Sequence, residues 1–417
     1  MGLNNTPSAE RIHIGIFGRR NAGKSSLINA LTGQSLAIVS DVSGTTTDPV
    51  YKAMELLPLG PAVMIDTPGI DDEGVLGKLR VQKSYQVLNK TDIALLVCDA
   101  REGVTKAELE LLARMEEKQI PCMLVLNKTE LLDGDEPENR VHAVRCALEA
   151  AGRKKACGIM AVSAADGTGI YELKDRIASM APEKKSEYPI VADLLAPGDF
   201  VVLVVPIDKA APKGRLILPQ QQTIRDILEA GAVSVVVKET ELSAALAELG
   251  KKPKLVITDS QVFAKVSADI PDDILLTSFS ILFARYKGEL AFQVKGVRAL
   301  DTLKDGDKVL ISEGCTHHRQ CDDIGTVKLP RWIRAYTHAE PEFCFTSGGE
   351  FPPDLSPYRM IIHCGGCVLN EREMKYRIAC ARDADVPMTN YGVAIAYMNG
   401  ILKRSLMVFP KICRLIS

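Results

Sequence analysis

Two tight groups of soft ligands stand near the end of the chain: Cys315-Thr316-His317, and His363-Cys364-Gly365-Gly366-Cys367. Thiolates and imidazoles in such clusters select zinc or iron–sulfur centres over hard cations. The glycines between Cys364 and Cys367 let the turn close until both sulfurs face one centre. A lone C-x-x-C is equally compatible with a redox pair, but a third cysteine with its own histidine favours ligation. Cys315 is preferred over Cys321 as that third ligand, because His317 follows it closely whereas Asp323 follows Cys321. Cys321 and Cys344 are spares, better read as structural or incidental residues. Three cysteines plus one variable position suit a cubane cluster with an exchangeable corner. Three thiolates plus an imidazole suit tetrahedral zinc. Spacing leaves both open, and leaves His317 and His363 each as fourth ligand or as a group supporting the ligands. His318 reads as a surface or supporting residue.

A second chemistry sits at the other end. Gly18-Arg19-Arg20-Asn21-Ala22-Gly23-Lys24-Ser25 fits G-x-x-x-x-G-K-[ST], after an apolar strand (Ile12–Phe17) and before a helix (Ser25–Leu31). Glycines let backbone N–H groups curl around phosphates while the helix N-terminus adds positive potential. Gly18, Asn21, Ala22, Gly23, Lys24, Ser25 and Ser26 are thereby placed around a nucleotide. Lys24 is expected on the β- and γ-phosphates and the Ser25 hydroxyl on Mg²⁺.

Four further motifs follow in the order of a G-protein. Gly44-Thr45-Thr46 resembles switch I, with Thr46 completing the Mg²⁺ shell. Asp66-Thr67-Pro68-Gly69 resembles the DxxG of switch II, with Asp66 on Mg²⁺ through water and the Gly69 N–H on the γ-phosphate. Asn127-Lys128-Thr129-Glu130 resembles the guanine motif NKxD, and Ser163-Ala164 the loop that touches the base. GTP is favoured over ATP. Two departures matter. Glu130 stands where that motif has aspartate; its carboxylate can still accept from guanine N1 and N2, while the extra methylene is expected to loosen the grip or relax specificity. Ile70 follows Gly69 and cannot orient water as glutamine does, so hydrolysis is expected to be slow. Asn21 is similar to the asparagine of cation-activated GTPases, which makes K⁺ the expected source of added positive charge. The catalytic set is then Lys24, Thr46, Asp66, Gly69 and Asn21, and Arg19 and Arg20 read as solvated.

Composition narrows the partners. The 417 residues carry 51 basic and 53 acidic side chains, 46% hydrophobic residues and a net charge of -2. That is the balance of an ordinary globular protein, without a polybasic arm for nucleic acid. No apolar run is long enough to span a bilayer, and the start, MGLNNTPSAERIH, lacks the apolar region of a secretion signal. A cytoplasmic protein without nucleic acid or membrane partners is expected. Of 11 cysteines, six (Cys98, Cys122, Cys146, Cys157, Cys380 and Cys413) read as core hydrophobes; the other five fall between Cys315 and Cys367.

The elements that position these groups are α/β. Apolar runs at Arg11–Phe17, Ala62–Ile65, Ile93–Cys98, Pro121–Leu126 and Ile159–Ser163 alternate with helical patterns, the mark of a parallel sheet. A polar, proline-bearing linker follows at Ala181–Ser186. A smaller block reads strand (Phe200–Pro206), helix (Gln221–Ala230), strand (Val233–Val237), helix (Glu241–Leu249), strand (Leu255–Thr258), and suits an interaction or dimerisation domain. Its loop Asp208–Arg215 is basic and turn-rich. The last block holds the cysteine clusters, with a strand at Arg359–Ile362. No internal repeat is visible. Domains are expected at 8–181, 187–287 and 288–417.

Cys315-Thr316-His317-His318-Arg319-Gln320-Cys321-Asp322-Asp323-Ile324-Gly325, His363-Cys364-Gly365-Gly366-Cys367, and Ala211-Pro212-Lys213-Gly214-Arg215-Leu216-Ile217-Leu218-Pro219-Gln220 together resemble the FeFe-hydrogenase maturation GTPases, the HydF family. The resemblance implies a TrmE/Era-like P-loop GTPase domain, a dimerisation domain and a 4Fe-4S domain. It implies a homodimeric scaffold that receives a diiron precursor from radical-SAM maturases and delivers it to apo FeFe-hydrogenase. Cys315, Cys364 and Cys367 would hold the cluster, with a fourth iron position that is non-cysteine or open. The competing readings are a zinc-stabilised regulatory GTPase acting on ribosomes or RNA, and an iron–sulfur redox sensor.

Overall fold

The computed structural model describes residues 6–33, 49–70, 81, 83–134, 136–153, 157–182, 188–207, 216–314 and 323–416. The chain divides into two compact units, residues 1–184 and 185–417.

Among the described residues the first unit is built on six strands: β1 (Ile12–Phe17), β2 (Val50–Leu56), β3 (Gly60–Asp66), β4 (Ile93–Asp99), β5 (Cys122–Asn127) and β6 (Gly158–Ala161). Their order is β2-β3-β1-β4-β5-β6, parallel except for β2, which runs antiparallel to β3. β1, β4 and β5 are buried along their whole length, which is why each reads as an unbroken apolar run. β2 is an edge strand that alternates exposed and half-buried residues, so Lys52 and Glu55 hid it from a search for apolar runs. Helices Lys24–Thr32 and Ile170–Ser179 pack with one apolar cluster, and Lys106–Glu117 and Glu136–Ala150 with another. Phosphate loop, Asp66, Asn127 and Ser163 thus all lie at or just past carboxyl ends of strands, where open α/β sheets bind ligands.

Among the described residues the second unit holds eight strands in two sheets. β7 (Phe200–Val204), β8 (Val233–Val237), β9 (Leu255–Thr258) and β10 (Leu275–Ser278) form one; β11 (Lys308–Ser312), β12 (Glu342–Thr346), β13 (Met360–His363) and β14 (Met388–Asn390) form the other. The spatial orders are β10-β9-β7-β8 and β12-β11-β13-β14, and every pairing is parallel. Numbered within each sheet, both read 2-1-3-4. The unit is therefore one topology used twice, a repeat that carries no visible trace in the residues. In each copy the strand order reverses between the first and third strands. In the second copy those strands are β11 and β13, whose ends lead to Gly314 and to Cys364.

The two copies share a core. One apolar cluster joins Val201, Leu203 and Ile257 of the first sheet to Val309, Ile311 and Ile362 of the second. Helices Phe279–Lys287 and Tyr391–Met398, each following the fourth strand of its copy, contribute Phe283 and Ile395 to it. Asn390 Nδ2 donates to Ser280 O at 2.9 Å, tying the two helix starts together. Among the described residues no helix is long and apolar enough to cross a membrane.

Candidate functional site

The phosphate loop leaves β1 at Gly18, whose φ of 147° suits glycine; a Cβ there would lie 2.1 Å from the Val97 carbonyl oxygen. Asn21 has φ 58°, left-handed backbone that asparagine tolerates, so it shapes the loop. Gly23 caps the helix with φ 90°. Lys24 is buried, and its Nζ donates to Gly18 O at 2.9 Å and Arg19 O at 2.7 Å, inside the curl of the loop.

Ser25 Oγ donates to Asp66 Oδ2 at 2.8 Å. The other oxygen, Asp66 Oδ1, is buried without a hydrogen-bond partner, and burial raises the carboxyl above its ordinary pKa. A hydroxyl beside an unsatisfied buried carboxylate oxygen suits a hard, oxygen-loving cation, so Ser25 and Asp66 fit Mg²⁺. Thr67 Oγ1 bonds Ile16 O at 2.7 Å and Ile70 N bonds Gly18 O at 3.4 Å, which fastens switch II to β1. Gly69 is buried in this stretch, and Ile70 is buried too, with no group to turn toward water. Thr46 and the rest of Gly44-Thr45-Thr46 lie outside the described residues.

The base side is equally connected. A recess of about 300 Å³ is lined by Gly23, Ser26, Asn127, Lys128, Glu130 and Ala164. Asn127, buried, donates through Nδ2 to Ala22 O at 3.1 Å and accepts from Ala164 N at 3.0 Å through Oδ1. Ser163 Oγ accepts from Asp166 N at 3.2 Å and so shapes the loop carrying Ala164. Glu130 is exposed at the rim. Lys128 has φ 69° and is held by Asp99 at 2.9 Å. Asp99 also takes a two-pronged bond from Arg101, which first, with Lys128 behind it, keeps its carboxyl well below the usual range. Asp99 escaped the motif search; its signal was a carboxylate ending the apolar run of β4.

Two expectations are corrected. Arg19 is not a solvated side chain: it pairs with Glu108 at 2.6 Å and Glu102 at 2.8 Å, and Glu108 is fully buried as the far end of a capping box with Thr105. Cys146 is exposed, with its sulfur 3.7 Å from His142 Nδ1, so it is not a core hydrophobe.

In the second unit, Cys364 and Cys367 follow β13 in a turn with Gly366 at φ 62°. Cys364 Sγ accepts N–H bonds from Gly314 at 3.0 Å and Gly366 at 3.4 Å. Gly314 immediately precedes Cys315 in the chain; Cys315 and His317 themselves lie outside the described residues, as do Asp208–Arg215. Among the described residues no group of three or more His, Cys, Asp or Glu side chains is placed to hold a metal. Burial pushes the Cys364 thiol up to about 11 and raises Cys367 as well. Thiols held neutral are poor nucleophiles and poor redox partners, whereas a bound cation removes the proton outright. The N–H groups aimed at Cys364 Sγ suit a sulfur that serves as a metal or cluster ligand.

His363 is resolved into one of its two expected roles. It is fully buried; Nδ1 lies 2.7 Å from Cys364 O and Nε2 3.0 Å from Arg377 Nη1. The carbonyl can only accept and the guanidinium can only donate, so the tautomer is Nδ1–H and both ring nitrogens are engaged. His363 is therefore not a ligand in this arrangement; it orients the cysteine turn. Arg377, also fully buried, bonds Glu373, Ser312 Oγ and Gly348 O as well.

Strand, phosphate loop and helix, with Asp66 and Asn127 at neighbouring strand ends, define a P-loop GTPase domain, and the 50S ribosome-binding GTPase family matches residues 13–128. The chain is 33% identical over 172 residues to the tRNA modification GTPase MnmE of Acetivibrio thermocellus, covering 41% of this chain and 35% of that one. It is 31% identical over 177 residues to GTPase Era of Carboxydothermus hydrogenoformans, covering 42% and 57%. It thus spans about a third of the MnmE relative's length. The rest of the chain is more telling. The Hydrogen maturase F dimerization domain matches residues 190–288 and the Hydrogen maturase F tetramerization domain residues 291–408. The chain belongs to the hydrogen maturase F GTPases.

The tetramerization match was not foreseen. Residues 288–417 were expected as a cluster domain and the assembly as a dimer; the family's own description gives that segment a part in higher assembly.

Proposed function

We propose that this protein is a GTP-hydrolysing scaffold or carrier that assembles or delivers the diiron subcluster precursor to apo FeFe-hydrogenase. The observation that carries the reading is the run of three family matches, GTPase then dimerization then tetramerization, along one chain. In it Lys24, Ser25, Thr46, Asp66 and Gly69 serve Mg²⁺ and the phosphates, and Asn127, Lys128, Glu130 and Ala164 the guanine. Asn21 holds K⁺ beside the phosphates. Domains fall at 8–181, 187–287 and 288–417, and the protein works in the cytoplasm as a homo-oligomer with radical-SAM maturases as partners.

Cys315, Cys364 and Cys367 hold a 4Fe-4S cluster that supplies an iron position open to cargo. Support comes from the described part of that set: the N–H bonds to Cys364 Sγ and the shielding of both thiols. GTP state then biases which partner is bound, a population shift between conformers.

The test is co-expression with the radical-SAM maturases and an apo-hydrogenase. Cys315→Ala, Cys364→Ala and Cys367→Ala should each abolish hydrogenase activation; unchanged activation removes the cluster assignment. Anaerobic purification with iron, sulfide and zinc analysis should return iron and sulfide, and stoichiometric zinc without iron sinks the scaffold reading.

A further inference from the structure

The helix that ends the dimerization match reaches into the cysteine turn of the tetramerization match. Its last residue, Lys287, is 4% exposed. Lys287 Nζ donates to three carbonyls of the turn: Gly366 O at 3.3 Å, Cys367 O at 2.9 Å and Leu369 O at 2.9 Å. An ammonium has three protons to donate, and here they match three carbonyls that belong to the turn carrying Cys367. The turn is tight around it: a Cβ on Gly366 would lie 2.7 Å from Met374 Sδ, and one on Gly314 2.7 Å from Leu369 Cγ.

Such a group does two things. It fixes the backbone that aims Cys367, and it buries a positive charge beside a site that becomes anionic when its thiols are deprotonated. A charge in this position favours whichever bound state is more negative, because buried charges are weakly screened.

We propose that Lys287 is the positioning residue of the Cys364–Cys367 turn and sets the reduction potential of the centre held there, so that the dimerization segment governs the cysteine site. This rests on the cluster reading above. Reduction adds negative charge, so removal of the cation must lower the potential.

The experiment uses the full chain, reconstituted anaerobically with iron and sulfide, as wild type and as Lys287→Met, Lys287→Gln and Lys287→Arg. Iron and sulfide per chain, thermal unfolding, and midpoint potential by redox titration followed by electron paramagnetic resonance are measured. Wild type must first bind iron and sulfide; if it does not, the cluster reading fails and Lys287 is not the cause. Given a loaded wild type, Lys287→Met and Lys287→Gln should lower the potential by an amount equal to a tenfold loss of relative stability of the reduced state, about 59 mV for one electron. Lys287→Arg should restore most of it. Loss of iron in Lys287→Met with an unchanged melting temperature, rescued by Lys287→Arg, also supports the proposal. If Lys287→Met does not fold, Lys287→Gln, which keeps two donors and loses the charge, decides it. Wild-type potential and wild-type iron content in a folded neutral variant overturn the proposal.

Discussion

Asn127 Nδ2 donates to the carbonyl of Ala22 at 3.1 Å, so the residue proposed to read the base also holds the loop proposed to wrap the phosphates. The contact is close enough to exclude any side chain at Gly23, whose Cβ would lie 2.2 Å from Asn127 Nδ2. Recognition of guanine and the shape of the phosphate loop are thereby one problem.

Lys24→Ala should abolish GTP hydrolysis, because Lys24 Nζ lies inside the loop curl against Gly18 O and Arg19 O, where it is proposed to meet the β- and γ-phosphates. Phosphate release under multiple-turnover conditions measures it. Residual hydrolysis within tenfold of wild type contradicts the assignment.

Replacement of K⁺ by Na⁺ at constant ionic strength should slow hydrolysis in the wild type. Asn21→Ala should remove the difference between the salts. Equal wild-type rates in both remove the K⁺ role and leave Asn21 with loop shaping alone, for which its φ of 58° is sufficient.

Asp99→Asn should weaken GDP binding by several-fold, since Lys128 loses its anchor at 2.9 Å. The pH dependence has a definite sign. The folded carboxyl titrates below its unfolded value of about 3.9, held down first by Arg101. Its stabilisation is therefore complete above about pH 4 and is lost as pH falls from there toward the folded value. Melting temperatures of wild type and Asp99→Asn should differ by a constant amount from pH 8 to pH 5 and converge only in stronger acid. A difference that closes near neutrality would falsify this account.

Arg377→Met should destabilise the second unit by about 3–5 kcal/mol, because it leaves Glu373 buried and unpaired. The pair is close, 2.9 Å, with side chains 0% and 5% exposed. Adding Glu373→Gln should recover part of the loss. Chemical denaturation followed by fluorescence of Trp332 reads it, and additive losses in the double variant count against a paired role.

The GTPase half was legible because each motif terminates an apolar strand, so composition and chemistry coincide at β1, β3 and β5. What escaped there depends on partners distant in sequence. Arg19 looked like a loop cation until the helix beginning at Lys106 supplied Glu108. Asp99 had no motif around it. In the second unit the cysteines announced themselves, but His363 could not be assigned without Arg377, a residue on a later helix. The repeated 2-1-3-4 order is invisible in sequence because parallel strands of three to five residues require little beyond apolar character. Val201 and Val309 satisfy it without resembling one another's surroundings.

The unbroken core between the two copies has a mechanical meaning. The family boundary near residue 288 cuts through packed apolar side chains, and interiors this dense transmit displacement instead of absorbing it. A chain severed there would expose matching greasy faces and is expected to aggregate. In the intact molecule the helix ending at Lys287 and the cysteine turn are joined by that core and by the Lys287 bonds, so a displacement of the one is felt by the other.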